Sequence, residues 1–136
     1  MCCGGALAAS AFFYINDTRT KDMPDGKIYD SSELVTIFID SCHVEKNSLF
    51  ASGWIAVKNH DQLGMTYISS NVTKGAMNSQ SNRGYDVSKV LHLPDESVVR
   101  FSSFALLKNK PNENVRLNIV SKSNSGKLYG GTYVCK

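Results

Sequence analysis

Recognisable catalytic signatures are missing from this 136-residue chain. It has no G-x-S-x-G elbow, no H-E-x-x-H pair, no phosphate-binding P-loop and no dinucleotide fingerprint. Its three histidines, His43, His60 and His92, have no spacing that pairs them with a serine. Asp40 and His43 resemble a fragment of a metal site, but residues three apart on a strand point to opposite faces. They read as edge polar groups, and the four cysteines have no metal-ligand spacing either. No metal, no cofactor and no enzymatic activity are therefore expected. A Lys/Arg-rich block is also lacking: 15 basic residues are scattered among 12 acidic ones, for a net charge of +3. That balance argues against nucleic acid and disfavours polyanionic partners generally. No apolar run reaches the roughly 20 residues of a helical membrane span.

The longest apolar stretch is residues 2–15, CCGGALAASAFFYI, which carries no charge. Nothing basic precedes Arg19, so the basic n-region of a secretory signal is absent. Three readings stand: the remnant of a longer span starting upstream, a buried N-terminal strand or helix, or a signal with atypical flanks. The short or truncated membrane segment is preferred. Arg19 and Lys21 follow the apolar stretch, which by the positive-inside tendency would keep the body cytoplasmic. Cys2 and Cys3 lie too early to complete a lipoprotein signal and read as membrane-proximal thiols open to acylation.

The length is that of one domain. A hydrophobic content of 42% with 20% charged residues is that of a globular chain rather than a disordered one. Residues 16–34 are polar, contain the turn signature Pro24-Asp25-Gly26, and read as a linker. From Val35 the period becomes 2. In TIFIDSCHV, strict alternation puts Phe38, Cys42 and Val44 with Asp40 on one face, and Ile37 and Ile39 on the other. After the turn EKNS, Leu49, Ala51, Gly53, Ile55 and Val57 alternate with Phe50, Ser52, Trp54 and Ala56, completing a hairpin. MTYISSNV reads as a third strand, with Tyr67 and Met65 opposite Thr66 and Ile68. Residues 74–86 read as a long polar connection, of the kind that often carries function. Residues 86–97 have room for one helical turn ended by Pro94. Three more strands follow, in SVVRFSSFALLK, VRLNIVSKS and KLYGGTYVCK. The pattern predicts an all-β, antiparallel sandwich over 35–136, behind an apolar segment 1–15 and the linker 16–34.

Cys42 falls in the first of these strands and Cys135 in the last. Terminal strands of a Greek-key sandwich often lie close, so either a disulfide or two buried thiols fits. A bridge would require an oxidising compartment. Asn16-Asp17-Thr18 and Asn71-Val72-Thr73 match the glycosylation sequon, which matters only in a secreted eukaryotic protein. Trp54 reads first as a core anchor and second as a sugar-stacking platform.

Four pieces then line up in order. IDSCHVEKNSLFASGWIAVK (39–58) supplies an I-D pair and a closing G-W. NRGYDVSKVLHLPDES (82–97) supplies R-x-x-D-V and a short L-P element. FSSFALL (101–107) and a terminal hairpin complete the order. This order resembles the small immunoglobulin-like sandwich appended to bacterial glycosyltransferases and cell-surface polysaccharide proteins. Gly53-Trp54 and Asp86-Val87 carry most of the likeness, while Ser103-Phe104 stands where the family shows Gly-Phe. The resemblance implies no catalytic residues. It implies a structural pairing of Asp86 with backbone N–H groups and a nearby arginine, with Arg83 as the other motif position.

The expected function is a non-enzymatic, membrane-tethered module of the bacterial envelope for carbohydrate or protein recognition. Trp54, Tyr67, Asn82, Arg83, Tyr85 and Asp86 are the candidate ligand-binding residues. The alternative is a structural subunit pairing through a strand edge with a larger membrane or polysaccharide-synthesis protein. A small hydrolase with an unrecognised site is the third. The expected location is membrane-associated and extracytoplasmic, with the cytoplasmic face left open.

Overall fold

Alternating side chains decide the architecture. The computed structural model describes residues 22–135, so the apolar segment 1–15, Asn16, Cys2 and Cys3 lie outside it. Eight strands run β1 (Ile28–Tyr29), β2 (Val35–Glu45), β3 (Ser48–Val57), β4 (Leu63–Ser70), β5 (Asn78–Arg83), β6 (Val98–Leu106), β7 (Arg116–Ser123) and β8 (Leu128–Val134). One short helix, α1 (Tyr85–Leu91), and a 3-10 turn (Asp95–Ser97) join β5 to β6. No helix among the described residues is long and apolar enough to cross a membrane.

The strands form two four-stranded sheets, β2-β3-β6-β5 and β1-β8-β7-β4. All pairings are antiparallel except that of β1 with β8. With β2, β3, β6 and β5 as strands A, B, E and D, and β4, β7 and β8 as C, F and G, the order is that of an immunoglobulin constant-type sandwich. The expected fold class is therefore observed. The cysteines depart from the usual plan. The usual bridge of such domains joins B to F beside a core tryptophan on C. Here Cys42 on A is bridged to Cys135 just after G, with Cα atoms 5.6 Å apart, and Trp54 lies on B facing outward.

Between the sheets lies the core. Leu49, Ala51 and Phe101 from one sheet meet Ile68, Leu117 and Ile119 from the other. Ile55, Val57 and Val99 meet Leu63 and Tyr129 nearer the opposite end. Each fully buried aliphatic side chain contributes about 1.5–3 kcal/mol of transfer free energy. A smaller cluster sits on the outside of the first sheet. There α1 lays Val87 over Ala56 and Val98, with Trp54 and Leu93 packed at its margin.

Four expectations need correction. Ile28 and Tyr29, expected within a linker, form β1 and pair with Leu128 and Tyr129. Two residues carry too little pattern to be read as a strand. The polar connection 74–86 contains β5, a six-residue edge strand whose side chains are all polar, so no apolar alternation marks it. Its alternation is between exposed and half-buried polar groups, and Ser81 turns inward to accept from the Thr66 N–H at 3.2 Å.

In β2 strict alternation fails. Ile39 pairs with Gly53 but Ser41 pairs with Ser52, so Asp40 is an extra residue, a β-bulge. The bulge flips parity: Ile37 and Ile39 face the core before it, and Cys42 and Val44 after it. Phe38, expected on the face of Cys42, points outward and is 52% exposed. Gly53 makes the bulge feasible, because a Cβ there would overlap the Phe38 carbonyl oxygen. The helix also ends earlier than Pro94. His92 takes the left-handed conformation (φ 56°), and the Leu93 N–H closes on the Ser88 carbonyl at 3.0 Å.

The two ends of the sandwich are tied differently. At one end Asp61 gathers the loops. Its carboxylate accepts from the Tyr129 hydroxyl at 2.7 Å, the Ser125 hydroxyl at 2.9 Å and the Gln62 N–H at 2.9 Å. Its carbonyl accepts from Ser97 at 2.8 Å. At the other end lie the disulfide and Asn71. The Asn71 amide donates to the Asn114 carbonyl at 3.0 Å and to Glu113 at 3.3 Å, and accepts from the Arg116 N–H at 2.8 Å. The sequon asparagine 71 is thus a loop latch with its amide nitrogen engaged.

Candidate functional site

The outer face of the β2-β3-β6-β5 sheet is where the molecule places what it does not bury. Cross-strand register organises that face into rows. Phe38, Trp54, Arg100 and Asn82 form the first row. Ser41, Ser52, Ser102 and Gln80 form the second. His43, Phe50, Phe104 and Asn78 form the third. Two aromatic bands thus flank a trough of hydroxyls, with planar amides along the β5 side. Strand geometry separates the bands by about 13 Å along β3.

Solvent reaches the bands. Phe50 is 38% exposed, Phe104 43%, and Leu106 beyond them 79%. Rings stack in pairs: Phe38 on Trp54 with centroids 5.9 Å apart, and His43 on Phe50 at 5.3 Å. Stacking fixes the rings before any ligand arrives, which lowers the ordering cost of binding. A shallow cavity of about 300 Å³ lies over the serine trough, lined by Ser41, His43, Phe50, Ser52 and Ser102. A second depression of about 440 Å³ runs from Phe50 and Phe104 around β5 to Tyr67 and Met65.

Electrostatics distinguish the two bands. Beside Trp54, the Arg100 guanidinium clasps Asp86 with two bonds, Nη2–Oδ2 at 2.6 Å and Nε–Oδ1 at 3.2 Å. Its Nη1 reaches Asp40 at 3.4 Å. Hydrogen bonding from Arg100 holds the Asp86 carboxyl below the usual carboxylate range, and Asp86 in turn raises Arg100. The charge of Arg100 is therefore consumed internally.

The expected ligand residues do not form one site. Trp54 and Asn82 share the first row, but Trp54 is half-buried and braces the cluster under α1. Asp86 reaches the same row only through Arg100. Its partner is Arg100, not Arg83, whose Nη1 donates to the Glu96 carbonyl at 3.0 Å. Asn82, Arg83 and Tyr85 instead line an open depression along β5. Tyr67 lies on β4 of the other sheet and meets the face only around the β5 edge. Phe38, Phe50, Phe104 and the three serines are not marked as a site by the sequence. Their alternation was visible, but their alignment across strands depends on register, which a single sequence does not carry.

The bulge also overturns one argument about Asp40 and His43. Both side chains are exposed on the same face, not on opposite ones. Asp40 is engaged by Arg100, and no group of three or more His, Cys, Asp or Glu residues gathers among the described residues. Ser41, His43 and Glu45 do form a short chain. Ser41 Oγ lies 3.2 Å from His43 Nδ1, and His43 Nε2 lies 3.9 Å from Glu45. The His43 side chain is 53% exposed, so this trio sits on the water-facing surface of the sheet. Comparison with protein-family models, with curated proteins and with solved structures finds no match for this chain.

Proposed function

We propose that the protein is a non-enzymatic recognition module that binds carbohydrate on the outer face of the β2-β3-β6-β5 sheet, tethered at the bacterial envelope by its N-terminal segment. The observation that carries the reading is the pair of aromatic bands flanking Ser41, Ser52 and Ser102, with Asn78, Gln80 and Asn82 alongside. Sugar rings present apolar C–H faces and a fringe of hydroxyls. Flat rings take the first, and hydroxyls and planar amides take the second. The face is open rather than closed over, which suits the interior of a chain of sugars. The Cys42–Cys135 bridge is in keeping with an oxidising location. Pairing through the β2 edge is less favoured: β2 is interrupted by its bulge and presents Asp40 and Glu45, devices that block edge addition.

The test is binding of the full chain to a panel of soluble polysaccharides by affinity electrophoresis. Phe50→Ala and Phe104→Ala are each expected to weaken retardation about tenfold, the equivalent of 1.4 kcal/mol. Thermal stability should fall by no more than about 1 kcal/mol, since both rings are partly exposed and lose only cross-strand contacts. Trp54→Ala should weaken binding and also lower stability, because Trp54 braces the α1 cluster. Unchanged affinity in both phenylalanine variants would falsify the reading.

A further inference from the structure

Charges scattered through the sequence are gathered by the fold. Lys46 occupies the β2–β3 turn, and Lys108 and Lys110 the loop after β6. The Leu107 N–H bonds to the Asn47 carbonyl at 2.6 Å and holds that loop against the turn. Lys74, Lys108 and Lys110 line a single depression of about 670 Å³, whose apolar wall includes Leu106. Leu106 is 79% exposed and stands two residues beyond Phe104 on β6, so the depression continues the second aromatic band.

None of these four lysines has a carboxylate within 4.0 Å among the described residues; the ion pairs there involve His43 and Arg100. Glu113, the one carboxylate lining the depression, bonds only to the neutral Asn71 amide and keeps its charge, so Lys74, Lys108 and Lys110 leave the depression positive on balance. At one end of the face Arg100 spends its charge on Asp86 and Asp40, and at the other Lys46, Lys74, Lys108 and Lys110 have no carboxylate partner among the described residues. Gathering like charges without partners is unfavourable in the isolated protein, and an anionic ligand relieves it.

From this we infer that the ligand is an anionic polysaccharide, lying along the sheet with its negative groups over Lys46, Lys74, Lys108 and Lys110. The inference rests on the carbohydrate reading and narrows it to acidic sugar polymers. It reverses the expectation from composition that a polyanion is disfavoured, because proximity in space, not along the chain, sets the local potential.

The probes are polygalacturonate and alginate, with highly methyl-esterified polygalacturonate and hydroxyethyl cellulose as matched neutral chains. Affinity electrophoresis of the full chain is expected to show retardation by an acidic polymer and none by the neutral ones. Lys108→Gln/Lys110→Gln and Phe50→Ala should each weaken that retardation by about tenfold. Circular dichroism confirms that the lysine variant stays folded. Several results overturn the inference. Equal retardation by neutral polymers, insensitive to the lysines, would leave the carbohydrate reading standing without its anionic refinement. Loss with the lysine variant but not with Phe50→Ala would mean charge adhesion alone. Lysine-dependent binding to phosphatidylglycerol vesicles without any polysaccharide would make a membrane surface the partner. No retardation by any polymer would remove the carbohydrate reading itself.

Discussion

The two ends of the sandwich solve one problem with different chemistry. Each must hold two sheets together where strands stop and loops begin. The Asp61 end does so with a carboxylate that accepts from Tyr129, Ser125 and Gln62. The other end uses the Cys42–Cys135 bond and the Asn71 latch. The first is set by protonation and the second by oxidation. The ends therefore answer to different conditions, acid at one and a reductant at the other.

The largest expected effect is at the covalent end. Closing a loop with a sequence separation of 93 contributes roughly 4.6 kcal/mol by chain-entropy arithmetic, of which engineered and native bridges often deliver less. Cys42→Ala/Cys135→Ala should lower the unfolding free energy by about 3–4 kcal/mol in denaturant titrations. A loss below about 1 kcal/mol would mean that packing alone holds this end. Next comes Tyr129→Phe, which removes a hydrogen bond to a charged group and should cost about 2 kcal/mol. The Tyr129 ring stays packed in that variant, so a larger loss would point to rearrangement of the 58–62 loop.

Acid sharpens the contrast. The Tyr129 hydroxyl, aided by Ser125 and Gln62, holds the Asp61 carboxyl below its ordinary value. A depressed carboxylate stabilises the fold above its unfolded pKa of about 3.9, and that stability is lost as pH falls through the lower folded value. The gap between wild type and Tyr129→Phe should therefore be full at neutral pH and shrink at acid pH. The cost of losing the disulfide should be flat over the same range. A Tyr129→Phe penalty that does not move with pH would show that Asp61 is not its cause. The smallest effect is expected for Asn71→Ala, about 1 kcal/mol, confined to the loops around Asn114 and Arg116.

Strands with one wet and one dry face announced themselves in the sequence. β3, β6 and β7 did so because Leu49, Phe101 and Leu117 alternate with residues that meet water. β5 did not, because an edge strand of Asn, Ser, Gln and Arg buries no apolar group. The bulge at Asp40 is silent for another reason: period-2 reading assumes that no residue is skipped, and a single extra one reassigns Phe38. Gly53-Trp54 stood out as a pair, and the structure gives each member its own reason. Gly53 makes room for the Phe38 carbonyl, and Trp54 stacks on the Phe38 ring. The site was the least legible part. Phe50 and Phe104 are 54 positions apart in the chain and become neighbours only through the β3–β6 register. Likewise Asp86 finds Arg100, fourteen residues on, rather than Arg83 close by.

The position of the disulfide has a mechanical consequence. Cys42 lies early in the sandwich and Cys135 at the last described residue. Tension applied between residues 22 and 135 passes through the sulfur bridge and bypasses everything between. Only the lead-in, the two-residue β1 and the first part of β2 can be drawn out. About 320 Å of contour length, at roughly 3.4 Å per residue over the 93-residue separation, stays locked behind one covalent bond. A load on residues 22 and 135 would peel β1 from β8 and β2 from β3 as far as Cys42, then stop. Phe50, Phe104, Ser52 and Ser102 lie inside the locked portion, whereas Phe38 and Ser41 precede Cys42 and would be drawn out with β2, so the proposed binding face would keep its third row under force and lose the β2 side of the other two.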